Sequence, residues 1–158
     1  MKQYIGTKII HAEPAKRFWF ENGEKLVVSD SEDTPQRAIE AIAGDNGYKV
    51  VYPDGYESWS PKDVFEASYR ETSGMSFGLA IEAAKMGKKI ARAGWNGKNQ
   101  YVELAYCISY KNNAAEIVNV NHCNIGNKAL AFVGTSGVQM GWLASQADML
   151  ADDWRILE

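Results

Sequence analysis

Residues 75–98 read MSFGLAIEAAKMGKKIARAGWNGK, and the period of this stretch changes part-way along. Up to Lys85 the apolar residues Phe77, Ala80, Ile81 and Ala84 share one face of a 3.6-residue repeat. That predicts a helix capped by Ser76 or Ser73 and stopped by Gly87. Residues 88–93 read as a strand, and Asn96-Gly97 is the strongest hairpin signal in the chain. A helix leading into a series of short strands joined by turns, rather than regular strand–helix alternation, gives the fold class. It is α+β: antiparallel sheets with a few short helices, in small domains expected to assemble as an oligomer.

Further strands are predicted near 100–108, 115–121, 128–133 and 137–143. The final SQADMLADDWRILE reads as a Ser-capped helical turn and a closing strand from Trp154 to Leu157. Upstream, RETSG at 70–74 is polar and ends in Gly, which marks a linker at 71–74 between a module of residues 1–70 and one of residues 75–158. The first module has β-prone runs at 4–10 and 25–29 and a predicted helix over 34–43. Its clearest signal is YKVVYPDGYESW (48–59), two strands about Pro53-Asp54-Gly55, where Pro presets φ and Gly takes the position a Cβ forbids. SPKDVFEASYR (60–70) follows as a helix with Ser60 at the N-cap, Pro61 in the first turn and Asp63 completing the cap. Modules this small bury a modest share of their surface, so association is expected.

Of 158 residues, 46% are apolar and 23% charged, an ordinary globular balance. A net charge of −3 argues against broad DNA or RNA backbone binding, which needs clustered Lys and Arg over a large face. No run approaches the ~20 apolar residues that span a bilayer, and the first residues do not read as a signal peptide, so a cytosolic protein with reduced thiols is expected. Cys107 and Cys123 do not make a zinc quartet, and adjacent His122 and Cys123 would point to opposite faces of a strand; no metal or cofactor is expected. Nor is an enzyme. There is no Gly-x-Ser-x-Gly elbow, no phosphate-binding loop around GKK at 87–89, and adjacent Asp152 and Asp153 diverge too far to act as an acid–base pair.

Charge is the more informative signal. Between Ala83 and Val102 lie Lys85, Lys88, Lys89, Arg92 and Lys98 and no acid. Strand alternation sends some of these cations to solvent. Arg92, Trp95, Asn96 and Lys98 at one hairpin mouth would combine cations for phosphate, an amide for sugar or base edges, and an indole for stacking worth about 1–3 kcal/mol. The plainer reading of Trp95 is that it packs over a neighbouring strand. Asp148, Asp152 and Asp153 have a plain reading too, as caps and partners of the basic hairpin; with Gln146 they would otherwise accept hydrogen bonds from ribose hydroxyls or an exocyclic amine.

MSFGLAIEAAKMGKKIARAGWNGK together with WLASQADMLADDW resembles a small phage-encoded family whose characterised members are Thoeris anti-defence proteins of the second type. The preceding GYKVVYPDGYESWSPKDVFEASYR is similar to another small phage family of unknown role. The first resemblance implies a non-catalytic homotetramer in the cytoplasm of the infected host. It would hold glycocyclic ADP-ribose intact and, in some members, cyclic dinucleotides. Carried onto this sequence, the motif match makes Trp95, Asn96 and Lys98 the leading ligand contacts, with Phe77, Arg92, Gln146 and Asp148 beside them. Trp95 would stack on adenine, Lys98 and Arg92 would face the diphosphate, and Asn96, Gln146 and Asp148 would hold ribose or base edges. The chain departs from the shortest members by carrying residues 1–70 and an Asn-rich middle segment (Asn112, Asn113, Asn119, Asn121, Asn124, Asn127). The alternative is a phage structural or protein-interaction module with no small-molecule ligand.

Overall fold

The computed structural model describes residues 1–157 except 4, 98 and 119–127. The chain divides into two compact units, Met1–Arg70 and Glu71–Glu158. The first is a four-stranded antiparallel sheet of β1 (His11–Trp19), β2 (Lys25–Ser29), β3 (Ala43–Val51) and β4 (Glu57–Pro61), in the order β2-β1-β3-β4. The expected strand at 4–10 is not formed in its described residues; the strand begins at His11 instead. Pro14 hid it. The ladder to β2 ends at Ala15↔Ser29, so Pro14 lies on a stretch of β1 flanked by one strand only, where a residue without an N–H is tolerated.

The hairpin at 52–56 forms as its residues predict. Gly55 has φ +83° and its N–H donates to Tyr52 O at 2.9 Å, while Asp54 Oδ1 accepts from the Tyr56 N–H at 3.1 Å. The helix expected over 34–43 shrinks to a 3-10 turn, Gln36–Glu40, because only Ala38 is buried and Ile39 and Ile42 face solvent. Helix α1 is Lys62–Ser68, and Ser60, expected as its cap, is in β4 opposite Tyr48. Pro61 therefore takes the N-cap and no side chain caps the helix. Across the sheet, Arg17 lies 3.7 Å from the Trp59 ring and 4.5 Å from Trp19, and its guanidinium donates to Asp45 at 3.2 Å. Trp59 closes over Gly47, where a Cβ would sit 2.5 Å from its ring and 2.2 Å from Ser60 O.

The second unit is a five-stranded antiparallel sheet in the order β10-β9-β6-β5-β11. Its strands are β5 (Lys89–Arg92), β6 (Tyr101–Ala105), β9 (Ala129–Gly134), β10 (Gly137–Met140) and β11 (Trp154–Leu157). A two-stranded ribbon of β7 (Tyr110–Lys111) and β8 (Ile117–Val118) lies between β6 and β9 in sequence; the rest of the strand expected at 115–121 falls partly outside the described residues. Helix α2 (Phe77–Lys85) packs on the sheet through Ala80, Ala83 and Ala84, against Ile90, Val102 and Trp154, all nearly inaccessible to water. Alanines on that face let the helix approach closely, leaving room for the large Trp154 ring. Gly87, φ +82°, ends the helical stretch as expected, and Ser76 stands at the N-cap without a side-chain bond. Before α2, Met75 bridges to Trp154 and Thr72 O accepts from the Ile156 N–H at 2.9 Å.

Candidate ligand-binding site

The segment between β5 and β6 is longer than Asn96-Gly97 implies. It runs from 93 to 100, and its positive φ among described residues is at Asn99 (57°), so no tight type I′ turn forms at 96–97. What folds the loop down is Trp95. Its ring meets Phe132 and Trp154 at 5.4 Å and Trp142 at 6.0 Å, edge-on in each case. Phe132 stacks beside Trp142 at 6.5 Å. The geometry therefore favours the plainer reading of Trp95: half-buried, it seals the rim of the core instead of standing free.

Helix α3 (Gln146–Met149) fixes the other edge of this cluster. Ser145 Oγ accepts from the Asp148 N–H at 3.1 Å while Asp148 Oδ2 accepts from the Ser145 N–H at 3.1 Å, a complete capping box. The second oxygen of Asp148 is then free to accept from Arg92 Nη1 at 3.1 Å and from the Trp95 indole at 3.3 Å. Arg92 Nε donates to Asp153 Oδ1 at 2.7 Å, and Asp153 Oδ2 accepts from the Gly94 N–H at 3.0 Å. The Trp154 indole donates to Asp148 O at 2.9 Å. One arginine and two carboxylates thus clamp the base of the loop to α3 and β11.

The electrostatics follow from this geometry. Burial pushes the Asp148 carboxyl up, but hydrogen bonds from the Ser145 hydroxyl, Arg92, the Ser145 backbone and Trp95 outweigh it and hold the group below the ordinary value of 3.8. Asp153 is lowered chiefly by its bond from Arg92. Arg92 is raised by Asp153 first and Asp148 second.

Among the residues expected at the site, Arg92, Trp95 and Asp148 are in direct contact. Arg92, expected to face a diphosphate, is committed to two carboxylates and is not a free cation. Asp148 is likewise a capping and pairing residue. Phe77 lies against Trp154 at 5.5 Å, and Gln146 and Asn96 are exposed. Lys98, with Asn119, Asn121, His122, Cys123, Asn124 and Asn127, lies outside the described residues. The expected basic cluster is dispersed: Lys85 pairs with Glu82 at 2.6 Å and Lys89 lies 4.7 Å from the Tyr101 ring. Phe132, Trp142 and Trp154 were not expected at the site. The Asp153–Arg92 bond spans 61 positions, and the signal for it was only the general pairing of the acidic end with the basic hairpin.

A family model for the Thoeris anti-defense 2-like domain matches residues 75–157, which contain all of this geometry. The chain belongs to that family. Thoeris anti-defense 2 of Bacillus phage SP01 is 36% identical over 88 residues, covering 52% of this chain and 94% of the relative. Membership places the chain among phage anti-defence proteins, and the family match lies wholly within the second unit. Among the described residues no group of His, Cys, Asp and Glu is arranged to hold a metal ion, and no helix is long and apolar enough to cross a membrane.

Proposed function

We propose that this family member binds a cyclic nucleotide immune signal, glycocyclic ADP-ribose, in the cytoplasm of the infected host and sequesters it without cleaving it. The observation that carries the reading is the family match over residues 75–157, and the half-exposed edges of Trp95, Phe132 and Trp142 at the rim of that region's core support it as an aromatic contact for a base. Sequestration asks for affinity near the nanomolar range, about −12 kcal/mol, which requires enclosing most of the ligand. Assembly into a homo-oligomer would supply walls that one copy lacks. Exposed Leu143 and Leu150, either side of α3, with Val138 and Met140 on β10, support such an assembly.

The test is to incubate purified protein with glycocyclic ADP-ribose, and separately with a cyclic dinucleotide, remove free ligand, denature, and identify what is released by mass spectrometry. Recovery of the intact cyclic nucleotide supports the reading. Recovery of breakdown products would make the protein an enzyme, and no retention would leave a protein partner as the function to pursue.

A further inference from the structure

The chain holds three Asn-Gly pairs, at 22–23, 46–47 and 96–97. Each carries a latent reaction, in which the glycine nitrogen attacks the carbonyl carbon of the asparagine side chain. Glycine has no Cβ to hinder that approach. Ring closure needs the nitrogen and the carbon in contact and correctly aligned, so a backbone held in another arrangement suppresses it. The fold places the three pairs in three different surroundings.

Two of them are restrained. Asn22-Gly23 makes the turn between β1 and β2, where the Gly23 N–H donates to Phe20 O at 2.9 Å. The Asn22 carboxamide is turned to the following residue, accepting from the Glu24 N–H at 3.0 Å and donating to Glu24 Oε2 at 3.3 Å. Asn46-Gly47 lies in β3, and Gly47 is buried between Ala15 of β1 and Pro61 of β4 with the Trp59 ring closed over it. Ring closure there would pull the peptide out of the sheet. Asn96-Gly97 has neither restraint, because it lies in the irregular 93–100 loop where the tight turn that would engage the Gly97 N–H does not form. Asn96 is exposed, and among the described residues neither its carboxamide nor the Gly97 N–H has a hydrogen-bond partner. The Gln100 side chain lies against the Gly97 α-carbon, but such a contact does not fix a peptide as a ladder or a turn bond does. The anchored part of the loop ends at Trp95, one residue before the pair.

We propose that Asn96 is a site of self-modification, deamidated through a succinimide that the Gly97 nitrogen closes. The new bond joins that nitrogen to Asn96 Cγ, and ammonia leaves with the side-chain nitrogen and the proton released by the Gly97 N–H. Water then opens the ring at one of its two carbonyls, leaving an aspartyl or an isoaspartyl residue at this position. No oxidant, reductant or enzyme takes part. The exchange adds one negative charge to a unit in which eight Lys and Arg offset eight Asp and Glu, and the isoaspartyl product lengthens the loop backbone by one atom. Resting on the sequestration reading, the added charge weakens the hold on an anionic ligand, so the loop limits how long a molecule stays competent to capture it.

The test ages the full chain in mildly alkaline buffer made with water enriched in the heavy oxygen isotope, then maps its peptides by mass spectrometry. Heavy oxygen in the new carboxylate separates conversion during ageing from conversion during digestion. Asn96 should convert at least about tenfold faster than Asn22 and Asn46 in the folded protein. In denaturant the three should converge, since the fold and not the dipeptide sets the difference. Comparable conversion of the three in the folded protein, no conversion of Asn96, or an unchanged gap in denaturant overturns the assignment. The consequence for capture is read by calorimetry with glycocyclic ADP-ribose: Asn96→Asp should bind several-fold more weakly than wild type with the melting temperature unchanged. Equal affinity overturns that consequence and leaves the modification standing. Failure of the wild type to bind overturns the sequestration reading, on which the chemistry at Asn96 does not depend.

Discussion

Trp95 shows how far a residue's type can mislead about its role. An indole beside Asn-Gly and two cations reads as a plate for a ligand, yet its edge-on contacts with three rings and its bond to Asp148 make it part of the core's rim. Trp95→Ala is therefore expected to destabilise the second unit by about 3 kcal/mol, measured by denaturant unfolding; Trp95→Phe should recover most of that. Asp148 and Asp153 make a second expectation, and its sign is fixed by their lowered pKa values. Folding favours their ionised forms, so their stabilisation is complete above the unfolded carboxylate value and is lost as pH falls through the lower folded one. Stability of the wild type should fall between roughly pH 5 and pH 2, and the gap between wild type and Asp148→Asn should be widest near neutrality and close across that window. A gap that does not change with pH would mean the carboxylate acts only by shape.

Elements defined by local chemistry were legible. The α2 face, the Pro53-Asp54-Gly55 turn, the Ser145 cap and the closing strand β11 each announce themselves within a few residues. What escaped was set by distant partners. β1 was obscured by Pro14, which is harmless only because of where β2 ends, and the Asn96-Gly97 turn gave way to a longer loop because Trp95 gains more by packing than the tight turn offers. In the candidate site, the residue types were readable but not their pairing, since Arg92 meets carboxylates more than fifty positions away. Two predictions belong at this scale. Ser145→Ala removes the α3 cap and should cost about 1 kcal/mol, read from the unfolding midpoint. Gly47→Ala should destabilise the first unit by more than the ~1–3 kcal/mol of ordinary overpacking, because one of the atoms a Cβ would strike is the Ser60 backbone oxygen. Wild-type melting in that variant would show that β4 can shift freely.

For the whole molecule, the two units divide the charge unevenly. Residues 1–70 hold nine Lys and Arg against twelve Asp and Glu, whereas residues 71–158 hold eight of each. The acidic balance of the chain thus belongs to the unit the family does not match, and the family-matched unit has no net charge to repel an anionic ligand. The core of that unit draws on Met75, Ala80, Ile90, Val102 and Trp154, all from its own segment. Three of its tryptophans, moreover, stand with ring centres 5.4–6.3 Å apart. Indoles so close couple their intense short-wavelength transitions, so the far-ultraviolet circular dichroism of this protein should carry a paired positive and negative band. Any loosening of the group would weaken that band, giving the protein a built-in optical gauge of how tightly this corner of the core is closed, with no label needed.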